Sequence, residues 1–311
     1  MAKKFYNSFY HAHTVLQRLK PGDVVITRTI DASGRDENGK VVGEGSNPLT
    51  GPFYIEGAVA GDAIAVTFQK MRLNRNWGYT NYRLGVFSVT PGSIETLYPN
   101  RYREGAAIEG RSTAVPWDID LKQGTVKLRE PVSKVHKMEF PARPMLGCVG
   151  IAAPGDFGPS SGISGAYGGN MDYNEVVEGA TVILPVYHAG ALLFMGDGHA
   201  LQADGEPTGT GIETSMDVEF KVDLLKRAEL SNPRLENAEY IISIGSQPEF
   251  ASPLDRALQI ATTDMANWLA KDYKMEPWAA HLLIGYQGKY DVITVAGSVG
   301  LRIPRKVLPR R

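Results

Sequence analysis

Within a short span, Gly196-Asp197-Gly198-His199-Ala200-Leu201-Gln202-Ala203-Asp204-Gly205-Glu206 carries three carboxylates and an imidazole, and a further carboxylate follows at Glu213. Asp197 and His199 lie two apart, so on an extended strand both point to one face. The interleaved glycines let the backbone turn tightly and bring side chains toward a common point. Such a set suits a catalytic metal site, in which protein groups leave one position open for water. The plainer reading is ordinary turn chemistry at the Asp-Gly pairs and a hydrogen-bonded histidine.

Other chemistries fit less well. Gly162-Ile163-Ser164-Gly165-Ala166 resembles a nucleophile elbow, but Ala166 stands where the second glycine belongs and no strand immediately precedes it. Cys148 sits in an apolar run, where a thiol behaves as a small inert hydrophobe. No GxGxxG follows a strand into a helix, no phosphate-loop lysine appears, and the EF-hand pattern is missing. Metal-assisted hydrolysis built from Asp31, Asp197, His199 and Asp204 remains.

These residues must be positioned by a chain of 311 residues, 43% hydrophobic, with net charge -1. A chain of this length buries roughly 75% of its unfolded surface, enough for one domain over 1–311 or two intimate subdomains, 1–145 and 146–311. The balanced charge excludes a phosphate-tracking, nucleic-acid-binding protein. No apolar run of about 18 residues marks a membrane partner or a leader. The single Cys148 fits a reducing compartment, so a cytoplasmic protein is expected.

The pattern of elements is mainly β. Residues 24–30 form a strand with Asp31 at its end, 63–68 another, and 125–128 and 132–138 shorter ones. Trp77-Gly78-Tyr79 reads chiefly as an aromatic anchor. Residues 154–175 make a long Gly-rich loop, uncommon unless functional. Strands follow at 181–188, 191–195 and 214–223, the last alternating acidic and apolar residues. Helix arrives late: Ser252 is the expected N-cap, Pro253 the first helical residue, and Leu254, Leu258, Ala261, Met265, Trp268 and Leu269 the apolar stripe. A second helix over 276–286 and a closing strand over 291–295 complete a β-sandwich-like core with a C-terminal helical pair.

The runs Asn47-Pro48-Leu49-Thr50-Gly51-Pro52 with Glu56-Gly57-Ala58, Gly168-Gly169-Asn170-Met171-Asp172, Gly190-Ala191-Leu192 and the Gly196–Glu206 stretch resemble the acetamidase/formamidase family in order and spacing over most of the chain. The resemblance implies hydrolysis of short aliphatic amides to ammonia and a carboxylate, a metal-containing site and a homo-oligomer. Zinc is the expected metal and calcium the alternative. In that setting Asp31, His199 and Asp204 are the expected ligands, with Asp197 a ligand or the orienter of one. A bound cation lowers the pKa of water from 15.7 to about 7. Glu206 or Glu213 then shuttles the proton from water to the leaving nitrogen. Asn170, helped by the Gly168 and Gly169 amides, stabilises the oxyanion, and Asp172 binds the substrate NH2. Two alternatives stay open: a β-sandwich ligand-binding protein in which the metal is structural, and a hydrolase of a different linear C–N bond.

Overall fold

The computed structural model describes residues 4–81, 84–85, 87–93, 114–129, 135–248 and 253–309. Part of the expected strand at 132–138 and the expected N-cap Ser252 lie outside them.

Two largely antiparallel sheets pack face to face. The first runs Ser164–Gly165, Gly168–Asn170, Met145–Ile151, Leu193–His199, Glu213–Thr214, Trp77–Thr80, Val115–Asp120, Thr125–Leu128, Glu139–Pro141, with Thr50–Ile55 also on Leu193–His199. The second runs Lys289–Thr294, Ser298–Pro304, Tyr240–Gly245, Arg234–Glu236, Thr181–Pro185, Ala63–Leu73, Met216–Leu225, Val24–Thr29. Each sheet takes strands from both sides of residue 145, so the two halves of the chain are woven together rather than set side by side.

Period-two burial explains the layers. Ile242 and Ile244 join the large core between the sheets, whereas Ile241 turns the other way, toward helix α1, Leu254–Tyr273, with Leu301 and Ile303. Between the sheets, Phe53 and Phe220 meet edge to face with centroids 5.3 Å apart. Each fully buried side chain of this kind contributes about 1.5–3 kcal/mol of transfer free energy.

Helix α1 presents Ala257, Ala261, Met265, Trp268, Leu269 and Tyr273 to that second face. The expected stripe was one residue off at its start: Leu258 is exposed and Ala257 is inside. Pro253, expected as the first helical residue, stands one position before it with no side-chain capping bond, and Lys274 ends the helix in a left-handed conformation, φ 56°. Helix α2 spans Pro277–Gln287. Among the described residues no helix is long and apolar enough to cross a membrane.

The strand expected at 191–195 instead covers Leu193–His199. Ala191 and Leu192 have φ of 56° and 62°, which keeps them out of the ladder. The Gly-Asp-Gly-His motif stays in it because Met145–Ile151 pairs along one edge and Glu213–Thr214 along the other. The long Gly-rich segment contains a small hairpin, Ser164–Gly165 with Gly168–Asn170.

Candidate active site and metal centre

His199 lies directly across the ladder from Glu213, so strand register alone brings imidazole and carboxylate together. His199 Nε2 is 3.0 Å from Glu213 Oε1 and 3.4 Å from Asp197 Oδ1. Asp172 arrives from the turn after Gly168–Asn170, and Glu206 from the loop that links His199 to Glu213. Two overlapping groups result, Asp172–Asp197–His199 and His199–Glu206–Glu213, with donor atoms in each within 4.8 Å of one another. All are buried except Glu206, which is half-buried.

The tautomer of His199 follows from its neighbours. Gln202 Nε2 donates to the Asp172 carbonyl at 2.6 Å, and a carbonyl only accepts. Gln202 Oε1 therefore faces His199 Nδ1 at 2.8 Å, and Nδ1 donates to it. That leaves Nε2 aimed between two carboxylates and hydrogen-bonded to neither. Asp172 Oδ1 and Glu213 Oε2 are likewise buried without a hydrogen-bond partner. Among the ion pairs of the described residues, His199 is the only cationic partner of these carboxylates. Buried charge of one sign at this density is costly unless a cation joins it. The unpartnered atoms and the mixed carboxylate–imidazole donor set therefore fit a divalent metal.

Protonation reports the same demand. Burial pushes Asp172 well above the usual carboxylate range, with Glu206 and Asp197 adding to it. Burial likewise raises Glu206 to about 7 and Glu213 to about 8, each partly offset by His199. Burial opposes charge on His199, but Glu213 and Asp197 outweigh it and raise its pKa well above the usual value. For Asp197, burial is overcome by His199 and by a hydrogen bond from Asn47, so its pKa is lowered.

A polar chain behind the cluster orients Asp172. Asn47 Nδ2 donates to Asn170 Oδ1 at 2.7 Å, the Cys148 thiol donates to the same oxygen at 2.7 Å, and Asn170 Nδ2 donates to Asp172 Oδ2 at 2.6 Å. Cys148 is wholly buried, and burial together with Asp197 and Asp172 holds its pKa well above the usual thiol value, which disfavours the thiolate. The Ser164 hydroxyl accepts from Ser246 at 2.8 Å, and among the described residues no base is hydrogen-bonded to it.

Two expected ligands take no place in this centre. Asp31 is buried, but its Oδ1 accepts from Ser33 and Arg35 in a tight turn and its Oδ2 lies 2.8 Å from Arg75 Nη1. Asp204 is exposed and accepts from Asn174 at 2.7 Å. Asp172, Glu206 and Glu213, expected around the substrate, instead sit among the ligand-type atoms. Gly168 and Gly169 lie inside the sheet, where a Cβ on Gly169 would come 2.7 Å from the Ile163 carbonyl. They permit close strand approach there, and Asn170 Nδ2 donates one N–H to Asp172.

Sequence reasoning missed Gln202 and two glycines. A Cβ on Gly147 would collide with Asp172 Oδ1 and lie 2.6 Å from Asp197 Oδ2; one on Gly211 would lie 2.5 Å from His199 Nδ1. Gly147→Ala should displace both carboxylates, costing about 1–3 kcal/mol in stability. Thermal unfolding together with elemental analysis would check this; unchanged metal content and stability would remove the crowding argument.

The fold and the site together define a β-sandwich protein with a buried, acid-rich centre whose donor atoms can hold a metal. Residues 162–275 match the acetamidase/formamidase family. The crystal structure of an acetamidase from Yersinia enterocolitica superposes with a TM-score of 0.79 at 30% identity, covering 99% of this chain and 91% of that one. An acetamidase/formamidase from the thermophile Thermoanaerobacter tengcongensis gives 0.76 at 27% identity, with 97% and 94% covered. The acetamidase of Mycolicibacterium smegmatis is 26% identical over 220 residues, 57% of this chain and 53% of that protein. The chain spans about half the length of the curated relatives it matches. It belongs to the acetamidase/formamidase family.

Proposed function

We propose that the chain hydrolyses linear primary amides of the formamide and acetamide type, releasing ammonia and a carboxylate, with a divalent metal in the buried centre. The observation that carries this reading is the meeting of two ligand-type groups at His199, Asp172–Asp197–His199 and His199–Glu206–Glu213, with His199 Nε2, Asp172 Oδ1 and Glu213 Oε2 buried without hydrogen-bond partners. The activities named for the relatives support the reaction type.

His199 Nε2 with Asp172 and Asp197 would hold the ion, Glu213 lying beside the imidazole, with Gln202 fixing the imidazole and Asn170 fixing Asp172. When bound, such an ion acts as a Lewis acid on water or on the amide carbonyl. Burial raises Glu206 to about 7 in the absence of an ion, and a bound cation would lower it from there, leaving the carboxylate free to act as a base at neutral pH. Its carboxylate takes a proton from the attacking water and returns it to the amide nitrogen, so the C–N bond breaks with ammonia leaving. The carboxylate-rich donor set with one imidazole suits zinc or manganese; calcium prefers six to eight oxygens.

The test is ammonia release from acetamide with native, chelator-stripped and reconstituted protein. Turnover lost on stripping and restored by one ion is the expected result, with about one ion per chain. Undiminished turnover after verified metal removal would refute the metal, and silence of loaded protein on every primary amide would refute the hydrolase.

Stability offers a readout independent of activity. The folded pKa values of Glu206 and Glu213, about 7 and about 8, lie above the ordinary glutamate value. Groups raised on folding stabilise at low pH, and that contribution is lost as pH rises through the folded value. Metal-free protein should therefore melt at falling temperature from about pH 5 to pH 8, and metal should suppress that slope. An identical slope with and without metal would place the ion elsewhere.

A further inference from the structure

The site carries more information about substrate than the reacting group alone requires. Glu206 and Gln202 also line a cavity of about 460 Å³. Trp117, Phe140, Leu201 and Ile212 form much of its remaining wall, and among the described lining residues Glu206 is the only charged one. The Trp117 and Phe140 rings meet at 6.2 Å. Trp117 and Ile212 belong to one buried apolar cluster, against which Leu201 packs.

Acetamide has four heavy atoms and fills on the order of 100 Å³, the share of three or four waters. A cavity of several hundred cubic ångströms is of the size that holds drug-sized ligands. The polar amide group belongs with the buried carboxylates and imidazole; this wall is chiefly apolar, its other polar groups being the neutral Thr80, Asn81, Thr208 and Thr210 and the Trp117 indole N–H. For a primary amide, the only other part of the molecule is the acyl group.

Resting on the amide-hydrolase reading above, we infer that this cavity receives the acyl group, so that the preferred substrates are primary amides with an apolar acyl chain of about four to six carbons, or one aromatic ring, rather than formamide or acetamide. Glu206 marks where the polar and apolar parts of the substrate divide. Each methylene buried against the wall should raise kcat/KM roughly fourfold, giving about a hundredfold or more between acetamide and hexanamide.

The experiment measures kcat/KM for ammonia release along acetamide, propionamide, butyramide, hexanamide and phenylacetamide with metal-loaded protein, and butylamine release from N-butylacetamide. A climbing series supports the inference. Acetamide turnover with a flat or falling series overturns it and leaves the amide-hydrolase reading standing. No ammonia from any of them overturns that reading, and this inference with it. Preference for N-butylacetamide over hexanamide would put the leaving group in the cavity and also overturns it. Phe140 is 43% exposed, so Phe140→Asp should fold. It should cut the hexanamide-to-acetamide ratio roughly tenfold, and an unchanged ratio would place the acyl chain elsewhere.

Discussion

Glu206→Gln should lower kcat for amide hydrolysis by roughly 10²–10⁴, the range that a positioned general base contributes. The substitution keeps the shape of the side chain but removes its charge and its ability to take a proton. Burial, opposed by His199 and reinforced by Asp197, raises Glu206 to about 7 in the metal-free protein. A base works when deprotonated, so kcat/KM of the parent should fall tenfold per pH unit on the acid side of that pKa. A cation beside the carboxylate favours its charged form, so the acid limb of the loaded enzyme should lie below 7. The variant should keep its fold and its metal and lose that limb. A variant with parental kcat and an intact acid limb would transfer the role to another group, with Glu213, raised to about 8, next in line.

The readable part of this site was the part governed by local periodicity. Asp197 and His199 share a face because a strand repeats every two residues, and alternating glycines marked a backbone under unusual demand. Asp197, Asp172 and Glu206 adopt φ of 56°, 51° and 46°, conformations that a non-glycine residue holds only when its surroundings enforce them. The Gly-rich segment at 154–175 was read as functional, and it delivers Asn170 and Asp172. What the sequence could not show was which carboxylates meet. Asp31 and Asp172 look alike in sequence, each in a turn beyond a strand; they differ because Arg75 stands against one and His199 near the other, a fact of sheet order. Glu213 joins the centre through ladder register with His199, fixed by the thirteen-residue excursion from Ala200 to Ile212. Gln202 is neutral and gives no charge signal, yet it sets the tautomer on which the geometry depends. The strand Ser298–Pro304 went unread as well: its short run alternates only weakly, and its burial comes from helix α1 on one side and the sheet core on the other.

Loss of either partner in the Asp31–Arg75 pair should cost about 3–5 kcal/mol, the usual effect of leaving one buried charge alone. The two side chains are 0% and 1% exposed, and the 2.8 Å approach of Nη1 to Oδ2 is an ion pair rather than an aligned hydrogen bond. The pair is held in place on both sides. Asp31 Oδ1 accepts from the Ser33 amide at 3.0 Å, the Ser33 hydroxyl at 2.9 Å and the Arg35 amide at 2.9 Å. Arg75 donates through Nε to the Trp77 carbonyl at 3.0 Å and lies 3.6 Å over the Trp77 ring, so the aromatic anchors a buried cation. Burial lowers the Arg75 pKa and Asp31 is the main influence against that shift, so deleting the carboxylate leaves a buried guanidinium without its counter-charge. Asp31→Asn should therefore destabilise strongly while the protein still takes up its full complement of metal; His199→Ala should do the reverse for metal. Arg75→Lys should not rescue, because an ammonium cannot reproduce the planar stack and the paired donors. Replacing both residues with apolar ones of similar volume should cost less than the two single changes added together. Denaturant unfolding of the four proteins in the cycle, with metal content measured on each, checks all of this at once. An Asp31→Asn protein of parental stability that no longer binds metal would return Asp31 to the centre as a ligand.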